Sequence, residues 1–198
     1  MSTDSKASMV RSAASLIRSR GVSATSLSDV LADSGAPRGS IYHHFPDGKA
    51  QLAEDAIRWT SERLLAHLRA GAPTGPSVVL ERFIAIWRQV VVTSGATAGC
   101  VVAGVAIDTG PEETALMEVV RATFRSWATV LAEELEVVGV PSARARPIAL
   151  ATIAAMEGAL ILCRAEGNVK PLDAVAEELM RLLPSKSSTR RKRPVHSS

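Results

Sequence analysis

The stretch TSLSDVLADSGAPRGSIYHHFPDGKAQL, Thr25 to Leu52, decides how the chain is to be read. It opens on a helix start. Ser26 stands three residues before Asp29 in the order S-x-x-D, where a hydroxyl and an acidic side chain each satisfy a free backbone N–H of the first turn. Leu27, Val30 and Leu31 give this helix an apolar stripe, and Gly35 stops it. Pro37 suits the first position of a next helix, where its missing N–H costs nothing, and Ile41 with Phe45 supplies an inward i,i+4 pair. The outward face is left with Arg38, Gly39, Ser40, Tyr42, His43 and His44. Two short helices joined by a tight turn, the second showing polar and aromatic groups to solvent, predict a helix-turn-helix reader of double-stranded DNA.

The chemistry of that face fits the task. An arginine pairs bidentately with guanine, serine and tyrosine reach phosphates or base edges, and Gly39 lets the backbone approach the duplex. As a mere packing residue Gly39 costs roughly 1 kcal/mol in a helix interior. His43 and His44 are adjacent and point about 100° apart, so they do not hold one ion together. Cys100 and Cys163 have no Cys or His at metal-ligand spacing. Neither a metal nor a cofactor is expected.

Upstream, Ala7, Val10, Ala14 and Ile17 recur at helical spacing, and Gly21 follows Arg18 and Arg20 as a stop signal, which predicts a first helix. The 198 residues, 46% of them hydrophobic, suffice for one sizeable core with a small appended module. The N-terminus has no apolar signal region, and the most apolar run, Ile148 to Cys163, carries Glu157 in its middle. A cytoplasmic protein without a membrane span is expected. The formal charge of +3 is unevenly spread. Lys186, Arg190, Arg191, Lys192 and Arg193 crowd into the tail, residues 1–52 are net basic and residues 53–183 net acidic. A basic module on an acidic body suits contact with a polyanion through the module. The tail, residues 184–198, is read as a disordered basic end.

Beyond Leu52 every segment has helical character: 49–70, 77–94, 100–108, 112–138, 142–166 and 171–183, with GAPTGP from Gly71 to Pro76 as a break. Ile148 to Cys163 is apolar nearly all round and rich in small residues, which suggests cover by a second subunit. Leu172, Val175, Leu179 and Leu182 form one stripe on the last helix. Ala151, Ala155, Gly158, Leu160, Leu172 and Leu179 are therefore candidate dimer contacts. Phe83, Trp87, Phe124, Trp127 and Met156, with Val102 and Ala106 of the glycine-bounded 100–108 segment, are candidate walls of a pocket for an apolar or aromatic ligand. Asp108, Arg125 and Glu157 are its candidate polar anchors.

The whole of Thr25 to Leu52 resembles the DNA-binding signature of the TetR family of bacterial transcriptional repressors: a capped helix, a glycine turn, a small-residue recognition helix ending in Y-x-H-F, and a lysine opening the next helix. The resemblance implies an all-α fold with an N-terminal three-helix DNA-binding domain, residues 1–52, and a C-terminal ligand-binding and dimerisation domain, residues 53–183. It implies phosphate contacts from Ser26 and Lys49, groove contacts from Arg38, Gly39 and Ser40, and groove or backbone contacts from Tyr42, His43 and His44. It also implies a homodimer joined through the last two helices, a palindromic operator and a small-molecule effector. HHFPDGKAQL has one residue more than the usual spacing before Lys49, and Pro37 stands where Ser or Thr is frequent. The P-x-G-K form, with GCVVAGVAID at 99–108, is similar to the LmrA and YxaF branch.

Two other classes compete: a helical carrier or enzyme with a vestigial DNA module, and a DNA-binding protein without sequence preference. Against catalysis, no Ser, His and acid arrangement and no H-E-x-x-H stands out among His43, His44, His67 and His196.

Overall fold

A computed structural model describes residues 2–110, 112 and 114–183. The basic tail at 184–198 lies outside the described residues. The helices are α1 (Ser2–Arg20), α2 (Leu27–Ser34), α3 (Ser40–His44), α4 (Gly48–Leu68), α5 (Pro76–Thr93), α6 (Val101–Asp108), α7 (Thr114–Val137), α8 (Ser142–Glu166) and α9 (Lys170–Arg181). No strand occurs among the described residues, so the fold is all-α.

Met9, Val10, Ala13, Ala14 and Ile17 of α1 meet Val30 of α2, Ile41 of α3, Phe45 and the start of α4, and all of these side chains are buried. That closes a small N-terminal bundle around three short apolar stripes. The expected third helix starts later than its proline. Pro37 to Gly39 form a turn, closed by Ser40 N–H and Ser40 Oγ–H donating to the carbonyl of Pro37 at 2.9 and 2.6 Å. Only five residues of α3 follow.

The expected boundary at residue 52 falls inside α4, which runs unbroken from one bundle into the other. Asp55 on its first half pairs with Lys6 of α1 at 2.8 Å, and Ser61 further along accepts a hydrogen bond from Trp127 Nε1–H of α7 at 2.9 Å. In the body, Phe83, Trp87, Trp127 and Phe124 stack edge to face or tilted, with successive ring centroids 5.9, 5.8 and 5.5 Å apart. Phe83, Val102, Trp87, Trp127 and Met156 are buried as core, while Phe124 and Ala106 are half-buried against it. Edge-to-face contact packs these rings against one another within the body.

The exposed and buried faces of α8 are separate. Ile148, Thr152, Ile153, Met156, Ala159, Leu160 and Cys163 point inward, whereas Leu150, Ala151, Ala154, Gly158, Ile161 and Leu162 are exposed. An 18-residue window of this helix has a mean hydropathy of 1.7, high enough for a membrane span by composition. Its inner face packs on α5, α7 and α9, as the core helix of a soluble bundle does. Leu160, Leu172 and Leu179, expected to face a partner, are 2%, 0% and 4% exposed and belong to the protomer's own core. A heptad-like stripe marks an apolar face without saying what covers it, and here α8 and α9 cover each other.

Candidate nucleic-acid interface

The N-terminus of α2 carries the cap that its sequence predicts. Asp29 N–H donates to Ser26 Oγ at 3.1 Å, and Ser26 N–H donates to Asp29 Oδ2 at 2.9 Å. Ser26 Oγ–H also bonds the Asp29 carboxylate at 2.7 Å, and Arg20 pairs with the same oxygen at 2.8 Å. The Ser26 hydroxyl and backbone bonds, then Arg20, hold the Asp29 carboxyl below the usual carboxylate range. Ser26 is thus first a cap. Beside it the exposed Ser28 hydroxyl, 2.8 Å from Ser26 Oγ, and the unshared amides of the first turn face solvent, a suitable seat for a phosphate oxygen.

Gly35 ends α2 in the left-handed region, φ 67°, with its N–H on the carbonyl of Leu31 at 3.1 Å. A Cβ residue is strained there, and the reversal it permits sets α3 across α2. Ile41 and Phe45 drop into the core at 1% and 0% exposure. Their burial aims the other side of α3 outward: Arg38, Gly39 and His43 are exposed, Tyr42 is 70% exposed, and Ser40 and His44 are half-buried. His44 lies edge-on between its neighbours' rings, 5.1 Å from His43 and 6.4 Å from Phe45.

Arg38 makes no hydrogen bond or ion pair among the described residues, and nothing lies within 4 Å of where a Cβ on Gly39 would be. A free guanidinium, an exposed phenol and an imidazole on one narrow ridge can donate and accept at base edges. Lys49 is placed differently from the other seven. Its Nζ donates to the carbonyl of Ser23 at 3.0 Å, tying the α1–α2 loop to α4 and leaving two further N–H groups for an anion.

Behind this interface the end of α1 is held by the body. The carbonyl of Arg18 accepts from Gly99 N–H at 2.7 Å, that of Ser19 accepts from Arg164 of α8, and Ser23 N–H donates to Asp108 Oδ2 at 2.8 Å. Gly21 has φ 86°, and any Cβ there would collide with the Asp108 carboxylate. Asp108 thus links the body to the DNA-binding module. Arg125 is exposed. Glu157 lies deeper: burial pushes its carboxyl up to about 7, and the Cys100 thiol beside it is pushed well above its ordinary value, first by burial and then by that carboxylate. Sequence reasoning missed Arg18 here, which its place in the last turn marked only as a helix-end cation.

Two family models match the chain: "Bacterial regulatory proteins, tetR family" over residues 10–56, and "Transcriptional regulator LmrA/YxaF-like, C-terminal domain" over residues 76–178. An uncharacterised HTH-type transcriptional regulator of Mycobacterium tuberculosis is 37% identical over 180 residues, which span 88% of this chain and 92% of that protein. Among solved structures, a TetR transcriptional regulator of Legionella pneumophila superposes with a TM-score of 0.80 at 21% identity, covering 89% of this chain and 96% of that one. A cysteine mutant of the TetR-family regulator CifR, solved with 26 base pairs of operator DNA, superposes with a TM-score of 0.72 at 15% identity, covering 90% and 96%. These proteins are regulators and not enzymes, and the two matched segments account for both halves of the fold described above. The chain belongs to the TetR family of bacterial helix-turn-helix transcriptional regulators, with a C-terminal domain of the LmrA/YxaF-like kind.

Proposed function

We propose that this regulator is a cytoplasmic homodimeric repressor that holds a palindromic operator and lets it go when a small effector binds the body. The observation that carries the DNA reading is the outward ridge of Arg38, Gly39, Tyr42 and His43, presented by the burial of Ile41 and Phe45. Arg38 and Tyr42 read base edges, the amides of α2 and the free N–H groups of Lys49 take phosphates, and Ser40 and His44 fill in between. The solved complex of CifR with operator DNA supports the same use of the fold.

The exposed stripe of α8, from Leu150 and Ala151 through Ala154 and Gly158 to Ile161 and Leu162, supports the dimer. Small residues let a second α8 approach closely, and the flanking Leu and Ile supply apolar area. Ala155, half-buried, sits at its edge towards α9. A two-fold pair presents two α3 ridges to successive major grooves roughly 34 to 36 Å apart, hence a palindrome.

Selection of bound duplexes from a random pool tests the reading. An inverted repeat with half-sites one helical turn apart is the expected product. Equal affinity for random and selected duplexes replaces the repressor with a non-specific DNA-binding protein.

A further inference from the structure

Where α1, α6 and α8 meet, the structure leaves a cavity of about 340 Å³. It is bounded by the end of the DNA-binding module on one side and by both body helices on the other. Most of the charged groups around it are already engaged. Arg20 is paired with Asp29, Arg164 donates to the carbonyl of Ser19, and Asp108 accepts from Ser23. Two are not. Arg18 Nε and Glu157 Oε1 are buried, and neither has a hydrogen-bond partner among the described residues. Both side chains line the cavity. A buried guanidinium N–H and a buried carboxyl oxygen left open are costly, and each asks for a partner of opposite hydrogen-bonding sense. The Cys100 thiol lines the same cavity, and the Glu157 carboxylate acts on it. Leu160 forms an apolar wall, and Ile107 stands exposed beside it, while Ile161 belongs to the outer stripe of α8.

We propose that this cavity is the effector site, and that it takes a small carboxylate-bearing molecule with an apolar body and a hydroxyl or amino donor, the carboxylate on Arg18 and the donor on Glu157. The proposal rests on the effector reading above and gives it a place and a chemistry. The carboxylate supplies acceptors for the planar guanidinium fork, the donor meets the open Glu157 oxygen, and the apolar body covers Leu160 and Ile107. Position explains the response. Arg18 offers its side chain to the cavity while its own carbonyl is held by Gly99 N–H, so an occupant sits on the seam where α1 rests against the body. A ligand that favours a different seating of α1 changes operator affinity by its differential affinity for the two seatings, and operator changes ligand affinity by the same factor.

The test uses the full-length chain and para-hydroxybenzoate as probe, with benzoate and phenol as single-group controls. Binding is followed by the ¹⁵N–¹H signals of the Arg18 side chain and of the Gly104 amide, and stability by thermal unfolding without ligand. The expected result is saturable binding of para-hydroxybenzoate about tenfold tighter than either control, since each lacks one hydrogen-bonded end. Arg18→Met and Glu157→Gln each weaken it by about the same factor, and both raise the melting temperature of the ligand-free protein, because groups kept open for a ligand cost stability. No perturbation of these signals at millimolar probe, or equal binding of all three compounds, overturns the site. So does a fall in melting temperature for both variants, which marks the pair as structural. Operator affinity is then measured at probe saturation. A drop seen in the wild type and absent in Arg18→Met joins the site to effector release. Tight, Arg18-dependent binding with unchanged operator affinity keeps the site and overturns the effector reading alone.

Discussion

The N–H of Gly99, just ahead of α6, donates to the carbonyl of Arg18, in the last turn of α1, at 2.7 Å. A helix leaves its last carbonyls without internal partners, and here the partners for α1 come from the body: Gly99 for Arg18, and Arg164 for Ser19. The DNA-binding module is thus capped at one end by the domain that would sense the effector. These bonds join α1 directly to the start of α6 and to α8.

Asp108 is the outermost of these ties, accepting from Ser23 N–H at 2.8 Å from an exposed position. Asp108→Ala is expected to cost about 1 kcal/mol of stability and to speed hydrogen exchange at the Ser23 amide, while the distant Trp127 to Ser61 bond stays protected. Unchanged exchange at Ser23 would show that the link is not maintained in solution.

Arg38 and Lys49 separate specificity from positioning. Arg38→Ala should lose about 1 to 3 kcal/mol of discrimination between the operator and a duplex altered at one guanine, with little change on random DNA. Lys49→Ala should weaken all duplexes alike and lower the salt slope by roughly one. Because Lys49 also holds the carbonyl of Ser23, this variant should in addition melt earlier. The pattern fails if Arg38→Ala weakens every sequence equally in salt titrations.

Ser26→Ala removes the cap of α2 and should cost about 0.5 to 2 kcal/mol in urea unfolding. Asp serves as well as Ser at this position, so Ser26→Asp should recover most of that loss. A stability unaffected by alanine would mean that the Asp29 to Ser26 bonds contribute nothing net.

On α8, Ala154 is exposed and Leu160 is 2% exposed, six residues apart on the outer and inner faces of one helix. Ala154→Arg should leave a folded protomer that sediments as a monomer, because it blocks close approach of a second copy. Leu160→Asp should unfold the protomer, burying a charge without a partner at a cost of several kcal/mol. A dimer that survives Ala154→Arg places the interface on another face.

Glu157 makes stability depend on pH. Its carboxyl is held up at about 7 by burial, against 4.5 ordinarily. Between those values the unfolded chain has released a proton that the folded chain keeps, so stability falls as pH rises through this window and the loss is complete above it. Glu157→Gln should therefore stabilise the protein by on the order of 1 to 3 kcal/mol at about pH 8 and by little at about pH 4, measured by urea unfolding at both. An equal effect at the two pH values would show that the carboxyl titrates normally.

Short-range patterns determined a large share of this protein. The capping box at Ser26 and Asp29, the reversal at Gly35 and the i,i+4 pair of Ile41 and Phe45 act over a few residues, so sequence spacing is enough to specify the helix-turn-helix and the ridge that Arg38 and Tyr42 present. The helical body was legible for the same reason, since period and glycine breaks locate each helix. Only the tertiary structure decided what each apolar face meets. Phe83, Trp87 and Trp127 carry no mark that tells a filled core from a pocket wall, and Leu160 and Gly158, two residues apart, take opposite sides only once α8 has rotated onto α5, α7 and α9. The cavity beside Arg18 and Glu157 was hidden most completely. It joins the end of α1 to residues more than 80 and 130 positions further along the chain, and such a site is set by how helices dock, which local periodicity does not encode.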